Sequence, residues 1–267
     1  MSKRTRLDVA LVEFGFYKSR AAAQRAIRAG EVFVDGQLVD KPATPIHPDA
    51  QIRLAEKPRY VSQGGKKLEK ALQAFAHNVD GAVCLDVGAS TGGFTDCLLQ
   101  HGARKVYAVD VGKGQLDWSL RNDERVVVLE DVNARYLTIE TIGEPVDLAT
   151  VDVSFISLRK VLPAITKIVK SEGDLITLVK PQFEAGREQV QRGGVVNDPE
   201  VHEAVLRELA NDVQIELGLS VLNATHSPIT GPAGNIEFLL HWVNVEGRSE
   251  EINWRRIVAE AHQELIK

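Results

Sequence analysis

The sequence contains little cysteine, no long apolar run and no cluster of metal ligands. Among its 267 residues are two cysteines, Cys84 and Cys97, and one methionine. Two cysteines within an apolar segment are typical of buried thiols in a reduced, cytoplasmic protein, not of a disulfide framework. Cys and His do not cluster at zinc-site spacings, so we expect no metal. No run reaches the ~18 apolar residues of a membrane span, and Asp8 and Glu13 interrupt the apolar stretch that a signal peptide requires.

Charge is distributed unevenly along the chain. Hydrophobic residues make up 44% and charged residues 26% of the sequence, as in a globular protein that buries a core, and the net charge is −5. Residues 1–60 carry eleven Lys and Arg against seven Asp and Glu, whereas the remainder carries 21 against 30. A basic N-terminal region on an acidic body indicates a polyanionic partner for that region, with chance asymmetry as the alternative.

The first sixty residues predict a small α+β module. Apolar residues recur at helical spacing before Gly15, and a second helix follows, with Ser19 as its N-cap and Gly30 at its end. The run EVFVDGQLVDKP alternates around an Asp35-Gly36 turn, which is the pattern of a β-hairpin. A last short strand is expected within PIHPDAQIRL, ahead of a linker.

The second of these helices presents a basic face. Arg20, Arg25 and Arg28 fall within an arc of ~140° at 100° per residue, so they can contact phosphates together, although a solvated helix face has the same pattern. The segment RLDVALVEFGFYKSRAAAQRAIRAGEVFVDGQLVDKP resembles the small RNA-binding module first described in a small-subunit ribosomal protein. That resemblance implies structured ribosomal RNA as the partner. With two arginines of a long polar loop at residues 183–205, the candidate RNA contacts are Arg6, Lys18, Arg20, Arg25, Arg28, Arg187 and Arg192.

From residue 83 onward, apolar β-type runs alternate with helical patterns. The runs are VCLDV, KVYAVD, VVVLED, VDLATVDVS and DLITLVK, and the helical patterns include FTDCLLQHG and LRKVLPAITKIVK. This alternation predicts an α/β domain with a parallel sheet and helices on both faces. Ligands of such sheets bind beyond the carboxyl ends of the strands. The polar residues at those ends are Asp86, Asp110, Glu130, Asp131, Asp152 and Lys180, each of which could also be an ordinary solvated loop residue.

A glycine-rich loop follows the first of these strands, in the stretch LDVGASTGGFTD. A dinucleotide-binding loop has the spacing G-x-G-x-x-G, which cradles a pyrophosphate. Here the glycines are Gly88, Gly92 and Gly93, so the second glycine of that pattern is missing. The loop therefore favours a nucleoside without a pyrophosphate, such as S-adenosylmethionine, with Asp86 available for its amino group.

Five further motifs resemble one known family across residues 1–242. They are YVSQGGKKLEKAL, LDVGASTGGFTDCLLQ, DVSFISL, LVKPQFE and GNIEFLLHW, in the order of the TlyA family of haemolysin-like ribosomal RNA 2′-O-methyltransferases. The resemblance implies an N-terminal RNA-binding module at 1–57, a linker at 58–64 and a Rossmann-like, FtsJ/RrmJ-type methyltransferase domain at 65–267. It also implies S-adenosyl-L-methionine as cofactor and cytidine of 16S or 23S ribosomal RNA, free or in ribosomal subunits, as substrate.

The resemblance also implies the site residues. The catalytic set falls on Lys67, Asp152, Lys180 and Glu237. Expected cofactor contacts are Asp86, Gly88, Ala89, Ser90, Thr91, Gly92, Gly93, Phe94, Asp110 for the ribose and Asp131 for the adenine. Lys66 beside Lys67 leaves that position ambiguous, and Gln63 stands where many members of the family have arginine, which puts an RNA or interdomain contact in question.

The implied reaction is attack of a ribose 2′-hydroxyl on a sulfonium methyl group. A positioned base, or a cation beside the forming alkoxide, contributes typically ~10²–10⁴-fold to such a reaction. We expect Lys180 in that role, with Lys67 as a second ammonium and with Asp152 and Glu237 holding the two lysines.

Two other functions remain open at this point: a membrane-active haemolysin, and an RNA-binding protein whose methyltransferase domain is inactive. The first is disfavoured by the absence of an apolar span. No membrane and no obligatory protein partner is inferred.

Overall fold

A computed structural model describes residues 4–55 and 58–266. The chain falls into two compact units that divide between Pro58 and Arg59, at the start of the segment predicted as a linker. The α/β class with a small N-terminal α+β module is confirmed.

The N-terminal unit contains the two predicted helices and the predicted hairpin. Its elements are β1 (Thr5–Arg6), α1 (Leu7–Glu13), α2 (Arg20–Arg28), β2 (Val32–Val34), β3 (Gln37–Leu38), β4 (Pro45–Ile46) and β5 (Ile52–Leu54). The Ser19 hydroxyl accepts a hydrogen bond from the Ala22 amide, so the predicted N-cap of α2 is confirmed. Strand β2 pairs antiparallel with both β3 and β5, and the apolar faces of α1 and α2 pack around Leu7, Leu11 and Ile27.

The second unit is a seven-stranded sheet with helices on both faces. Its strands are β6 (Val83–Val87), β7 (Lys105–Val109), β8 (Val126–Leu129), β9 (Val146–Val151), β10 (Val169–Val179), β11 (Ser220–His226) and β12 (Phe238–Val243). Its helices are α3 (Gly64–Ala74), α4 (Gly93–Gln100), α5 (Trp118–Arg121), α6 (Ile139–Ile142), α7 (Leu162–Ile165), α8 (Pro181–Glu184), α9 (Pro199–Leu217) and α10 (Trp254–Leu265). The strand order is β11-β12-β10-β9-β6-β7-β8.

The five predicted strands form the expected parallel sheet, and two further strands extend it at one edge. Strands β8, β7, β6, β9 and β10 are parallel, but β12 lies antiparallel to both β10 and β11. The chain returns through the long helix α9 to form β11, and β12 then inserts between β11 and β10. Both strands are too far along the chain from β10 for a local pattern to reveal this pairing.

The helical pattern expected over residues 158–170 is also only partly correct. A 3-10 turn at Leu158–Lys160 and the single-turn helix α7 occupy its first half, and β10 begins at Val169. Pairing of Val169 with Val146 on β9 recruits the end of this segment into the sheet. Tertiary strand pairing therefore overrides the helical periodicity.

The sheet separates two hydrophobic cores. One face packs against α3 and α4 around Leu68, Leu98 and Leu239, and the other packs against α7, α9 and α10 around Trp242 and Phe238. Because β6, β7, β9 and β10 are parallel, their carboxyl ends lie along one edge of the sheet, and that edge carries the polar residues singled out in the sequence. Across the described ranges, no helix is both long and apolar enough to cross a bilayer.

Candidate active site

The glycine loop joins β6 to α4, and two of its glycines are fixed by close packing. Gly88 has φ +84°, and a Cβ there would lie 2.2 Å from the Asp152 carbonyl oxygen. At Gly93 a Cβ would lie 2.3 Å from Ser62 Oγ and 2.8 Å from the Gly65 amide nitrogen. Side chains are excluded because the end of β9 and the start of α3 approach the loop. Packing within the chain itself therefore requires glycine at these two positions, in addition to any requirement of a ligand.

Two adjoining cavities lie on either side of the loop. The first, of about 310 Å³, extends towards the start of α3 and includes Lys67 and Gln63. The second, of about 450 Å³, extends over the ends of β7 and β9 and includes Asp110 and Asn133. Gly88, Ser90 and Asp152 line both, so the two cavities form one elongated cleft. Of the predicted loop contacts, those lining the first cavity are Gly88, Ala89, Ser90, Thr91, Gly93 and Phe94.

Gly92 has a different position from its neighbours. It is the N-cap of α4 with φ +98°, and a Cβ there would lie 2.2 Å from Leu120 Cδ1. It does not line either cavity and instead allows the turn from loop to helix.

Lys67 and Glu237 form a buried ion pair at one end of the cleft. Lys67 Nζ donates to Glu237 Oε2 at 2.5 Å, and the two side chains are 11% and 1% exposed. Burial raises the pKa of Glu237, and the neighbouring charges of Lys67 and Lys180 oppose that rise. The adjacent Lys66 is exposed, so the geometry separates the two lysines that the sequence left ambiguous.

Lys180 and Asp152 form the second pair. Lys180 Nζ lies 2.7 Å from Asp152 Oδ1, at an angle that makes the contact an ion pair and not an aligned hydrogen bond. The same ammonium donates to Ser154 Oγ at 2.8 Å. Lys67 and Asp152 both line the first cavity, and each holds its partner beside it, so the two pairs lie next to one another. The four residues predicted from distant motifs therefore meet at the cleft.

Two predicted cofactor acids differ in their access to the cleft. The carboxylate of Asp110 lines the second cavity, where it accepts hydrogen bonds from the amides of Ser90 at 2.8 Å and Gly112 at 2.6 Å. Asp131 is exposed, forms an ion pair with Lys113 and does not line the cleft. Asn133, two residues further on, lines the second cavity in its place.

Asp86 lies behind the loop and has no surface in the cleft. It is fully buried and accepts hydrogen bonds from the hydroxyls of Thr95 at 2.6 Å and Thr150 at 3.1 Å. Burial raises the pKa of Asp86 to about 7, against the lowering effect of these two hydroxyls. The geometry thus gives Asp86 a supporting position between β6, α4 and β9, with no direct access to a ligand.

The raised pKa of Asp86 predicts that stability falls as the pH rises. An unfolded Asp ionises near pH 3.9, whereas the folded chain keeps this proton up to about pH 7, so folding becomes less favourable between those values. The free energy of unfolding of Asp86→Asn relative to wild type should therefore increase by about 3 kcal/mol from pH 5 to pH 8. Urea unfolding at several pH values measures this difference. A difference that does not vary with pH would contradict the assignment.

In the N-terminal unit, a buried acid organises part of the predicted RNA face. Asp8 accepts hydrogen bonds from Arg6 Nε, Arg6 Nη2, Arg20 Nη2 and Gln24 Nε2. The Arg6 guanidinium holds the pKa of Asp8 well below its usual range. Arg6 and Arg20 remain about half exposed, so the pairing orients them without hiding them. Lys18, Arg25 and Arg28 are exposed as well.

An aromatic and basic surface beside the cleft was not singled out in the sequence. Phe155 is 90% exposed with φ +64°, and its ring lies 5.2 Å from that of Phe183. With Arg135, Lys160 and Arg187 these rings line a depression next to the second cavity, which also includes Phe155. The sequence signal that could have revealed this surface is Phe155, an aromatic residue three positions after Asp152. Of the two loop arginines predicted to contact RNA, Arg187 belongs to this surface, and Arg192 is exposed in a neighbouring turn.

Each of the two units matches a known protein family. Residues 60–243 match the family model described as FtsJ-like methyltransferase, and residues 5–52 match the S4 domain. YqxC of Bacillus subtilis, named as a candidate rRNA methyltransferase, is 49% identical over 272 residues, covering 99% of this chain and 96% of that protein. The 16S/23S rRNA (cytidine-2′-O)-methyltransferase TlyA of Mycobacterium tuberculosis is 48% identical over 248 residues, covering 92% of each.

A solved structure supports the same relationship. It is described as a candidate hemolysin from Streptococcus thermophilus, is 43% identical, and has a TM-score of 0.75 over 99% of this chain and 98% of that one. The resemblance inferred from the motifs is thereby confirmed. The chain belongs to the FtsJ-like methyltransferase family, among the TlyA proteins, and carries an S4 domain ahead of its methyltransferase domain.

Proposed function

We propose that this protein transfers a methyl group from S-adenosylmethionine to the 2′-hydroxyl of a cytidine ribose in ribosomal RNA. One observation carries the proposal: two lysine–carboxylate pairs, Lys67–Glu237 and Lys180–Asp152, lie beside a cleft at the carboxyl edge of the sheet. The names of relatives near half identity supply the reaction and the substrate class. A ribosomal RNA substrate also implies a cytoplasmic location.

The cleft suits S-adenosylmethionine in its shape and its polar groups. The larger cavity has Asp110, a carboxylate that can accept ribose hydroxyl hydrogens, and apolar walls from Val109, Val132 and Val161 that suit a base. The smaller cavity, beside Ser90 and Lys67, suits the amino acid end. When bound, the cofactor supplies an electrophilic methyl group on a sulfonium. We assign its binding to Gly88, Ser90, Asp110 and Asn133, and assign to Asp86 the support of the loop.

We infer that Lys180 is the residue that acts on the attacking hydroxyl and its proton. Its ammonium is held by Asp152 and Ser154, so it is fixed in place at the edge of the cleft. There it can stabilise a forming alkoxide or, in its neutral form, accept the proton. Lys67, held by Glu237, adds a second fixed positive charge that favours the developing negative oxygen.

The surface next to the cleft suits a single-stranded RNA acceptor. Arg135, Lys160 and Arg187 can contact phosphates, and the exposed ring of Phe155 offers a platform for a base. The ring of Phe155 can stack on a base only when that base is unstacked from its neighbours, so an unstacked nucleotide is the form that suits this surface. The N-terminal unit contributes the exposed basic face of α2 to the same substrate.

Phe155→Ala is expected to lower kcat/KM for RNA by about 10- to 100-fold, because stacking on an aromatic ring contributes ~1–3 kcal/mol per base. The affinity for S-adenosylmethionine should change much less. Phe155→Tyr retains the ring and should stay within a few-fold of wild type, as should Ile215→Ala, which removes another exposed apolar side chain, on α9. Steady-state kinetics with varied RNA tests this, and equal losses in Phe155→Ala and Ile215→Ala would refute the stacking role.

The function itself is tested with labelled S-adenosylmethionine and ribosomal subunits from a strain lacking the gene. We expect label in RNA that resists alkaline hydrolysis at one or a few cytidines, as a 2′-O-methyl group requires. Wild-type subunits, already modified, are the matched acceptor control. Failure to label either naked ribosomal RNA or subunits from the deletion strain would overturn the proposal. If the protein labels neither acceptor but causes leakage from liposomes, a membrane-active role is favoured instead.

A further inference from the structure

Three potential metal ligands converge at a second location in the methyltransferase unit. Among the described residues, one group of three or more His, Cys, Asp and Glu side chains brings its ligand atoms within 4.8 Å of one another, and it consists of His77, Asp174 and His241. His241 Nε2 lies 2.7 Å from Asp174 Oδ1, and His77 Nε2 lies 4.0 Å from Asp174 Oδ2. Both imidazoles therefore direct Nε2 towards the two oxygens of one carboxylate.

The cluster is partly enclosed and its rings are held in place. The side chains of His77, Asp174 and His241 are 15%, 26% and 9% exposed. The ring of Phe75 stacks on His241 with centroids 5.5 Å apart, and His77 meets His241 edge-on at 5.2 Å. Such packing limits ring rotation, while the exposed part of Asp174 leaves an entry path for an ion.

A simple His–Asp hydrogen bond accounts for only part of this arrangement. The 2.7 Å contact satisfies His241, but 4.0 Å is too long for His77 to share the same carboxylate by hydrogen bonding. Zinc binds His nitrogen and carboxylate oxygen at ~2.0–2.2 Å, which places tetrahedral ligand atoms ~3.3 Å apart. The two separations lie on either side of that value, and all the ligand atoms lie within 4.8 Å of one another, so side-chain rotations can bring the three ligands together on one ion.

We propose that His77, Asp174 and His241 bind Zn²⁺ or a similar transition-metal dication, with water in the fourth position. Two imidazoles and one carboxylate favour such an ion over Mg²⁺ or Ca²⁺, which prefer oxygen ligands. The expectation of no metal from the sequence rested on the absence of a local Cys/His cluster, and these three ligands come from distant segments.

The position of the cluster indicates a structural role for the ion. His77 follows α3, Asp174 lies on β10 and His241 lies on β12, and the same elements carry or adjoin Lys67, Lys180 and Glu237. Asp174 is six residues before Lys180 and His241 is four after Glu237, or ~13–20 Å along the strands. A bound ion would thus join the three elements at the end away from the catalytic lysines, across the apolar layer around Ile176 and Leu239.

The test uses the full chain, stripped of metal with a chelator and titrated with Co²⁺. We expect about one Co²⁺ per chain, with the strong visible absorption of tetrahedral cobalt, displaced by Zn²⁺, and a higher unfolding temperature with Zn²⁺. His77→Gln should weaken Co²⁺ binding at least ~10-fold. His77 lies outside α3, so metal-free His77→Gln should unfold at the wild-type temperature.

Two further variants complete the design. Asp174→Asn keeps a hydrogen-bond acceptor for His241 but removes the charged ligand, so it should also lose tight Co²⁺ binding. His47→Gln changes the exposed His47–Asp49 pair of the other unit and should bind like wild type. Absence of a tetrahedral cobalt spectrum, or equal binding by wild type and His77→Gln, would refute the site. Because binding is measured without RNA or S-adenosylmethionine, the result is independent of the proposed methyl transfer.

Discussion

Lys180→Met is expected to slow methyl transfer at least ~100-fold while leaving S-adenosylmethionine affinity within a few-fold of wild type. The loss corresponds to removing the positioned base or cation at the attacking oxygen, which contributes typically ~10²–10⁴-fold. The fold should survive, because Asp152 is 21% exposed and lines the cleft, where water can hydrate the carboxylate left behind. Single-turnover rates and calorimetric binding of the cofactor separate the two quantities.

The matched control for Lys180→Met is Lys170→Met, on the strand β10 that Lys180 directly follows. Lys170 also forms an ion pair with an acid, Asp147, but near the amino end of β10 and away from the cleft. Its replacement should leave the rate unchanged. Lys180→Arg distinguishes the role of a base from that of a stabilising cation. Arginine keeps the positive charge but cannot act as a base at neutral pH. If Lys180→Met reacts within threefold of the wild-type rate, Lys180 has no part in the chemistry.

Glu237→Ala is expected to destabilise the protein by about 3–5 kcal/mol, the cost of leaving one member of a buried ion pair without its partner. Glu237 is 1% exposed and Lys67 is 11% exposed, so little water can replace the lost carboxylate. Activity should fall as well, since Lys67 is no longer held at the cleft. Chemical denaturation measures the first effect and the methylation assay the second.

A double variant separates stability from chemistry at this pair. Lys67→Met with Glu237→Leu removes both charges, and replacing a buried ion pair by apolar side chains is often neutral or stabilising. The double variant should therefore recover most of the stability lost in Glu237→Ala but none of the activity. Glu260→Ala is the control, because its ion pair with Arg256 on α10 lies at the surface and contributes little. A Glu237→Ala protein as stable as wild type would contradict the buried-pair interpretation.

The glycine loop has a packing role in addition to the ligand-binding role that its sequence predicts. The sequence indicated that small residues were needed for a ligand to approach the backbone. In the structure Gly88 also faces the Asp152 carbonyl and Gly93 faces the start of α3. The same glycines therefore bring Asp152 and the segment carrying Lys67 close to the loop, so the cleft and two of the proposed catalytic residues depend on the same packing.

The two acids Asp86 and Asp131 show where position after a strand is insufficient. Asp86 is the last residue but one of β6, and Asp131 lies two residues after β8, yet the first is buried behind the loop and the second is ion-paired in solvent. Strand alternation predicts the edge at which a residue lies, but the direction of its side chain depends on neighbours such as Thr95, Thr150 and Lys113 that only the folded chain supplies.

By itself the sequence determined the two-part organisation, the five parallel strands, the caps and turns of the N-terminal unit and the identity of the residues that meet at the cleft. Periodicity, capping and turn chemistry are local, and the motifs carry a family resemblance in their order. Only the tertiary structure decided the antiparallel edge of the sheet, the pairing of Lys67 with Glu237, and the meeting of His77 with Asp174 and His241. Each of those features joins segments far apart in sequence, and their contacts arise from strand pairing and core packing that no local pattern encodes.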